Sequence, residues 1–476
     1  MEAARIPAFS QRSRVLPVAY FLLLSLPLAV MAHRLALLPR GYINLEYLLI
    51  GAFSVFLPRS VGFVLFLLES IADFACAISQ TYMLSVKDML DSFSSLRSLP
   101  TSRILEIFVV IALLILICAA AAYVRPRSED RLWVAASLLF LIAIVASTAL
   151  LAGQNPFKRG DVITLVRLGR IPILSLARGE DSLHKLDLAE HGTNGGGMSS
   201  ASSYAIAFLN RPGALKSPDV VLIVVESWGL PLDANLAQAL DAPYDDPRVA
   251  SKYDVSFGAV PFSGSTVPGE ARELCRSRMG FKIILAPPEL LQGCLPALFH
   301  ARNYENLSIH GYSGLIFDRK TWYPKIGFDQ SWFGPNLDKL KLPDCDGAFP
   351  GTCDAAIAGW IGSSLLSVDT AKPRFIYWVT LNSHLPVPTH PGLADDGVCS
   401  TLPSLRDSVP LCSWFRLVRN VHQSVQQLAL RPSSRATVFV LVGDHAPPFA
   451  DPQLRQIFSA TDVPYVVLTP RIAASR

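Results

Sequence analysis

The chain is poor in several features that would otherwise narrow its function. Charged side chains make up only 17% of its 476 residues, and 42 Lys and Arg against 38 Asp and Glu leave a formal charge of +4. The basic residues form no run or stripe, which argues against nucleic acid as a partner. The eight cysteines include no paired C-x-x-C spacing, which excludes a structural zinc ribbon. No internal repeat is present. At this length one hydrophobic core is too few, so at least two regions are expected.

What charge there is lies mainly after Gly153. Before it, long uncharged runs dominate and account for the mean hydropathy of +0.36. Five segments are expected to be helices able to cross a hydrocarbon core of ~30 Å: Val15–Ala32, Gly41–Leu57, Val61–Leu84, Ile104–Val124 and Leu132–Ala152. Gly41–Leu57 is short and carries Glu46, so a re-entrant or tilted segment is the alternative. A signal peptide ending near Ala29 or Ala32 is the competing reading of the first segment, although further apolar spans follow it at once. In the third segment Glu69 and Asp73 lie one helical turn apart, either facing a polar cleft or pairing inside a bundle.

An odd number of crossings puts the chain ends on opposite sides. Arg5, Arg12, Arg14, Arg59, Arg125, Arg127 and Arg131 share the side of the N-terminus, whereas Arg34, Arg40, Lys87, Arg97 and Arg103 fall opposite. The positive-inside rule then places the N-terminus in the cytoplasm and everything after Ala152 outside it. The cysteines agree: Cys76 and Cys118 lie within spans, leaving Cys275, Cys294, Cys345, Cys353, Cys399 and Cys412. Pairing of sequence neighbours would staple three short loops in an oxidising compartment, although six cysteines allow fifteen connectivities.

The expected organisation is a membrane anchor over 1–152, a juxtamembrane segment and linker over 153–218, and a catalytic domain over 219–476. Within the linker, Ile163–Leu176 reads as an interfacial amphipathic helix or as a solvated connector, and Gly192–Ser203 as flexible chain. From Asp219 onward, β-branched runs alternate with mixed segments, the pattern of an α/β domain with a central, mostly parallel sheet sandwiched by helices. The clearest strands are Asp219–Val225, Phe375–Leu381, Thr437–Val442 and Tyr465–Leu468. Three of them end on residues able to do chemistry: Glu226-Ser227-Trp228, Asn382-Ser383-His384 and Gly443-Asp444-His445. Open α/β sheets place ligands beyond the carboxyl ends of their strands, so these endings are expected to converge.

An acid at one strand end and an Asp-His pair at another supply three ligands for a divalent cation. The turn Gly264-Ser-Thr-Val-Pro-Gly-Glu270 places the Ser265 and Thr266 hydroxyls ahead of a mixed segment, Glu270–Met279, expected to be helical. A hydroxyl there sits at a helix N-terminus and, beside a metal, becomes a nucleophile near neutral pH. Taken singly, Glu226 and Thr266 read equally well as caps, and His310 and Arg319 as surface residues. The order of acid, hydroxyl, His and Asp-His is what carries the site.

These residues resemble the lipoteichoic acid synthase and phosphoglycerol/phosphoethanolamine transferase branch of the alkaline phosphatase/sulfatase superfamily. The resemblance rests on V-V-E-S-W-G around Glu226, G-S-T-V-P-G-E around Thr266, S-I-H-G-Y-S-G-L-I-F-D-R from Ser308, T-L-N-S-H-L-P from Thr380 and G-D-H-A-P-P from Gly443. It implies a five-span anchor in the bacterial cytoplasmic (inner) membrane, with the catalytic domain periplasmic. It implies that Glu226, Thr266, Asp444 and His445 hold one divalent metal, Zn or Mn, and that Thr266 takes a phosphoglycerol or phosphoethanolamine headgroup from a phospholipid donor. An envelope glycan, glucan or lipid A would then receive that group. His310, Phe317, Arg319 and His384 are implied to line the substrate pocket, where Arg319 suits phosphate oxygens and His384 suits proton exchange.

Two departures bear on the substrate. Phe317 stands where the lipoteichoic acid synthase pattern carries Trp, and six cysteines outside the spans are more like the disulfide-bearing phosphoethanolamine transferases. An ordinary sulfatase would present C/S-x-P-x-R, and Cys275-Arg-Ser-Arg lacks the proline. A hydrolase or phosphodiesterase on the same fold is the alternative activity, and a non-catalytic membrane interaction or sensor protein is the alternative class.

Overall fold

The computed structural model of the chain describes residues 28, 43–82, 101–123, 130–151, 166–167, 199–210, 217–393, 397–449 and 451–471. They form two compact units, one from residues 1–86 and 99–188, the other from 87–98 and 189–476. The first expected span, Val15–Ala32, lies outside the described residues apart from Leu28.

The N-terminal unit is helical: α1 Leu45–Ser54, α2 Arg59–Tyr82, α3 Thr101–Tyr123 and α4 Arg131–Leu151. Helices thus occupy four of the five expected spans, with shifted bounds. Among the described residues one helical stretch, Ile104–Tyr123, is long and apolar enough to cross a membrane, while Arg131–Ile144 is a shorter apolar helix. Ile104–Tyr123 buries only 17% of its most apolar stretch inside the protein. It turns Leu105, Phe108 and Leu116 outward, as a helix facing lipid does. Segment Gly41–Leu57 corresponds to a helix of only 10 residues, about 15 Å long at 1.5 Å per residue and too short to span.

This unit is held by an apolar seam in which Tyr47, Leu48, Val55, Phe66, Leu114, Cys118, Val134 and Leu138 are buried together. A polar contact crosses the seam. The Tyr47 hydroxyl donates to Ser70 Oγ at 3.1 Å or to Asp73 Oδ2 at 3.3 Å, and Ser70 Oγ lies 3.4 Å from Cys118 Sγ. The expected interfacial helix Ile163–Leu176 is described only at Val166–Arg167. There the backbone is extended and pairs in parallel with Ile43–Asn44, so at these two residues strand replaces helix.

The second unit is built on a seven-stranded sheet. Its strands are β1 Asp219–Val225, β2 Tyr253–Pro261, β3 Glu305–His310, β4 Gln330–Trp332, β5 Arg374–Val379, β6 Thr437–Gly443 and β7 Asp462–Pro470, in the order β2-β7-β6-β1-β5-β3-β4. The five strands from β6 to β4 run parallel, and β7 is antiparallel to both β6 and β2. Every residue of β1, β5 and β6 is buried. This explains why they read as continuous apolar runs rather than alternating ones: both faces of a parallel sheet are covered. Burying each such side chain contributes roughly 1.5–3 kcal/mol.

Helices position the residues beyond the strand ends. The relevant ones are α5 Ser202–Leu209, α6 Thr266–Cys275, α7 Arg319–Lys325, α8 Asp354–Trp360 and α9 Val409–Leu430. Ser408 caps α9 by accepting from the Leu411 N–H, with Pro410 in the first turn, where its missing N–H costs nothing. The α9 residues Leu411, Trp414, Phe415, Val418, Val421, Val425 and Leu428 recur at helical spacing and are buried. The three disulfides join sequence neighbours: Cys275–Cys294, Cys345–Cys353 and Cys399–Cys412.

Candidate active site and metal centre

The carboxyl ends of β1, β5 and β6 are adjacent in the sheet, so the three polar endings are neighbours in space. Glu226 follows β1 directly. Its backbone N–H donates to Thr380 Oγ1 at 2.9 Å and its carbonyl accepts from Ser383 Oγ at 2.6 Å, which ties the β1 ending to the β5 ending. Ser227, at φ 55°, turns the chain sharply, and its Oγ donates to Glu226 Oε1 at 2.8 Å. The Asp444 Oδ1 atom accepts from the Ser227 and His445 backbone N–H groups at 2.8 and 2.7 Å.

Glu226, Asp444 and His445 bring their ligand atoms within 4.8 Å of one another, all buried. His445 Nε2 lies 3.4 Å from Asp444 Oδ2 and 3.5 Å from Glu226 Oε1. Ligands at ~2.0–2.1 Å around a tetrahedral zinc sit about 3.4 Å from each other, so the donor spacing suits such an ion. His445 Nδ1 faces the Ala446 carbonyl at 2.9 Å, which assigns a proton to Nδ1 and leaves Nε2 toward the carboxylates, where a metal would take its lone pair. Asp444 Oδ2 is buried without a hydrogen-bond partner. The His445 ring at 3.4 Å is the positive group that faces it, and a divalent metal taking Asp444 Oδ2, a Glu226 oxygen and His445 Nε2 together would meet the same need, so the residues fit such an ion.

The electrostatics point the same way. Burial pushes the Asp444 carboxyl up to about 7, with the Glu226 charge adding to it. Burial opposes ionisation of Glu226 too, but His384, His445 and the Ser227 hydroxyl outweigh it and hold that carboxyl well below the usual range. Burial disfavours a charged His445, yet Asp444 and Glu226 draw the ring up to about 9. Without a metal the cluster therefore shares one imidazolium between an ionised Glu226 and an Asp444 that titrates near neutral pH, and a divalent cation would take the place of that proton.

Thr266 is the first residue of α6, and its Oγ1 donates to Glu226 Oε2 at 3.1 Å. The helix thus starts at Thr266, ahead of the expected Glu270. Ser265 Oγ beside it is buried with no hydrogen-bond partner. The rest of α6 explains why the nucleophile candidate sits there. A Cβ on Gly269 would come within 2.9 Å of Asp444 Cβ, so only glycine lets the helix rest against the Asp444 backbone. Glu270, one turn on, accepts from Arg319 Nε and Nη2 at 2.9 and 2.7 Å and from the Tyr323 and Tyr377 hydroxyls. Arg272 donates to the Gly443 carbonyl at 2.6 Å and the Asp444 carbonyl at 3.4 Å, bracing the loop that carries the Asp-His pair. Glu273 pairs with Arg272 at 2.7 Å and caps α5 by accepting from the Ala201 and Ser202 N–H groups at 3.3 and 2.9 Å. One ten-residue helix therefore contacts the candidate metal residues, Arg319 and α5, which lies inside the expected linker 153–218.

The remaining expected residues fall around this centre. His310 ends β3, buried, with Nδ1 against the Val379 carbonyl at 3.1 Å; burial, reinforced by Arg319, lowers it to about 3 and keeps it neutral. His384 has Nδ1 on the Leu385 carbonyl at 2.7 Å and its ring edge-on to Phe349, and burial lowers its pKa against the pull of Glu226. Arg319 is buried with its Nε/Nη2 edge on Glu270 and its Cζ 5.2 Å from the Phe317 ring centroid. Phe317, at φ 54°, packs edge-on against Phe281. Sequence reading assigned no role to Glu270, Arg272, Ser383 or Asp354. Asp354, at the start of α8, accepts from the Leu381 and Asn382 N–H groups at 3.1 and 2.8 Å, fixing the loop that carries His384. Glu270 lay inside the G-S-T-V-P-G-E motif, so its one-turn spacing from Thr266 was the available signal; Asp354 offered none.

No curated protein matches the chain by sequence. Among solved structures it is similar to the phosphoethanolamine transferase EptA, an integral membrane protein of Neisseria meningitidis (14% identity, 98% of this chain and 78% of that one, TM-score 0.43). It is also similar to the phosphoglycerol transferase GacH of Streptococcus pyogenes (15% identity, 57% and 77%, TM-score 0.40). A third is the lipoteichoic acid synthase LtaP of Listeria monocytogenes (14% identity, 54% and 67%, TM-score 0.38). The model of the Sulfatase family matches residues 218–476, the whole of the sheet-bearing region and its Glu, Asp and His cluster, and the chain therefore belongs to the Sulfatase family.

Proposed function

We propose that this chain transfers a phosphoglycerol or phosphoethanolamine headgroup from a membrane phospholipid, through a Thr266 intermediate, to an envelope glycan, glucan or lipid A. The observation that carries this reading is the Thr266 hydroxyl at the start of α6, 3.1 Å from an acid of the buried Glu-Asp-His cluster. A divalent metal, Zn or Mn, held by Glu226, Asp444, His445 and the Thr266 oxygen would acidify that hydroxyl and neutralise phosphoryl charge. Thr266 Oγ1 forms the bond to phosphorus as the bond to the diacylglycerol oxygen breaks, and the proton that Thr266 gives up passes through His384 Nε2 to that oxygen. The acceptor hydroxyl then attacks the same phosphorus and gives its proton to His384 Nε2, which returns it to the Thr266 oxygen as the bond from Thr266 to phosphorus breaks.

Burial keeps His384 neutral near pH 7, the state a base requires, and the Leu385 carbonyl fixes its tautomer. Arg319, its Nε/Nη2 edge held by Glu270, keeps only its Nη1 side for phosphate, while His310 and Phe317 line the same pocket. The apolar helices anchor the enzyme in the bacterial inner membrane in several passes, beside a donor that cannot leave the bilayer, with the catalytic domain periplasmic. The three disulfides accord with that compartment.

The test incubates the full chain with labelled phosphatidylglycerol or phosphatidylethanolamine and maps headgroup adducts by mass spectrometry. An adduct on Thr266, and loss of turnover by about 10³-fold or more in Thr266→Ala, are expected. Turnover unchanged in Thr266→Ala with no adduct under any metal overturns the reading. An adduct discharged only to water makes the enzyme a hydrolase.

A further inference from the structure

The loop that leaves α6 exposes apolar side chains where a soluble surface normally does not. Cys275 and Cys294 close residues 276–293 into a loop, which contains two short 3-10 turns, Gly280–Leu285 and Pro288–Leu290. Its inward residues are anchored: Phe281, Ile283 and Leu291 are buried, and Phe281 meets the Phe317 ring at 5.7 Å. Leu285 and Leu290 point out instead, 76% and 65% exposed, the former more than any other large apolar side chain among the described residues of the catalytic unit. Leu315, on the neighbouring turn that carries Phe317, is 52% exposed. Leaving such side chains in water forfeits roughly 1.5–3 kcal/mol each, and exposed apolar patches mark interaction sites.

The charge around them has one dominant sign. Residues 276–293 carry Arg276, Arg278 and Lys282 against Glu289, three positive minus one negative for a net +2. Arg278 and Lys282 are exposed, as is Lys320 at the start of α7. Leucines interleaved with cations suit an anionic lipid surface, where the leucines enter the acyl boundary and the cations meet phosphates. The loop also returns to the active site: a Cβ on Gly280 would lie 3.8 Å from Pro268 Cγ, in the first turn of α6 beside Thr266.

We infer that the disulfide-closed loop 276–293, with Leu315, is a lipid-docking surface that seats the catalytic domain on an anionic leaflet with the Thr266 pocket at its edge. This rests on the transferase reading only for its purpose, since docking itself needs no turnover. The leucines supply apolar insertion and Lys282 and Lys320 the attraction. The disulfide holds the loop in one shape, so docking costs little ordering of the chain.

The experiment puts p-benzoylphenylalanine at Leu285, Leu290 or Leu315 of the full chain, reconstituted into phosphatidylcholine vesicles with or without phosphatidylserine. Val368, 48% exposed beside the amino end of β5, is the control position. After irradiation, lipid adducts are expected at the three leucine positions and not at Val368. Phosphatidylserine should raise their yield, and each of Lys282→Gln and Lys320→Gln should lower it by about fivefold. Equal yields at the leucine positions and at Val368, or adducts to another protein alone, overturn the inference. Hydrolysis of a water-soluble phosphodiester, measured on the same samples, separates the two proposals. Lipid adducts without hydrolysis leave docking standing and count against the transferase, and the reverse pattern rejects docking alone.

Discussion

Asp73 of the helical unit and the Glu226–Asp444 pair of the catalytic unit are buried in opposite ways. In the helical unit, Asp73 Oδ2 accepts from the Tyr47 hydroxyl, a neutral donor on another helix. In the catalytic unit, Glu226 and Asp444 are pressed together with one imidazole, and Asp444 Oδ2 has no hydrogen bond. The first arrangement is satisfied within the protein and serves packing. The second leaves two acids sharing one imidazole, a donor set that a divalent metal would complete. A buried acid thus signals function by what its surroundings leave unmet.

That contrast can be broken at graded cost. Arg272→Met should have the largest effect, because it strips Glu273 of its buried partner and the Gly443 and Asp444 carbonyls of their brace. Loss of about 3–5 kcal/mol of catalytic-domain stability is expected in chemical denaturation, with metal affinity, by competition with a chelator, falling about 10–100-fold. Arg272→Lys retains the charge but not the fork, so it should recover much of the stability and little of the affinity.

An intermediate effect is expected at His422, which is buried against Trp228 and Tyr244 with neither ring nitrogen hydrogen-bonded. Burial lowers it to about 3. The unfolded chain protonates this ring below about 6.5, whereas the folded chain does not until about pH 3. The unfolded state therefore holds more protons between those limits, and stability falls on acidification at about 1.36 kcal/mol per pH unit for this group. Denaturation midpoints from pH 7 to pH 4 should show that slope reduced by this amount in His422→Leu. An unchanged slope would mean that the ring is already charged in the fold.

Asp73→Asn should have the smallest effect, since an amide keeps an acceptor for the Tyr47 hydroxyl. A stability change under about 1 kcal/mol and unaltered turnover are expected. A large loss of turnover with normal stability would move this acid from packing to function and erase the contrast between the units.

Much of the catalytic unit was legible because its signals are local. Continuous apolar runs mark strands covered on both faces, and the polar residues that end Asp219–Val225 and Thr437–Gly443 cannot continue them. The neighbouring cysteines paired as their spacing allowed. Three other features were not legible. Arg319 reads as a phosphate clamp in sequence, but its Nε/Nη2 edge lies on Glu270, 49 residues away. Arg272 finds its carbonyls 171 and 172 residues on. Asp354 holds the His384 loop through backbone N–H groups, which no side-chain pattern announces.

By itself the sequence determined the division into an apolar helical part and an α/β part, the strand endings and the Thr266 motif, because periodicity, turn chemistry and residue type act over a few positions. The tertiary structure decided which acid stays charged, which arginine is committed to a carboxylate and which oxygen is left without a partner. Those depend on burial and on distances of three to four ångströms between residues far apart in the chain, and only folding fixes them.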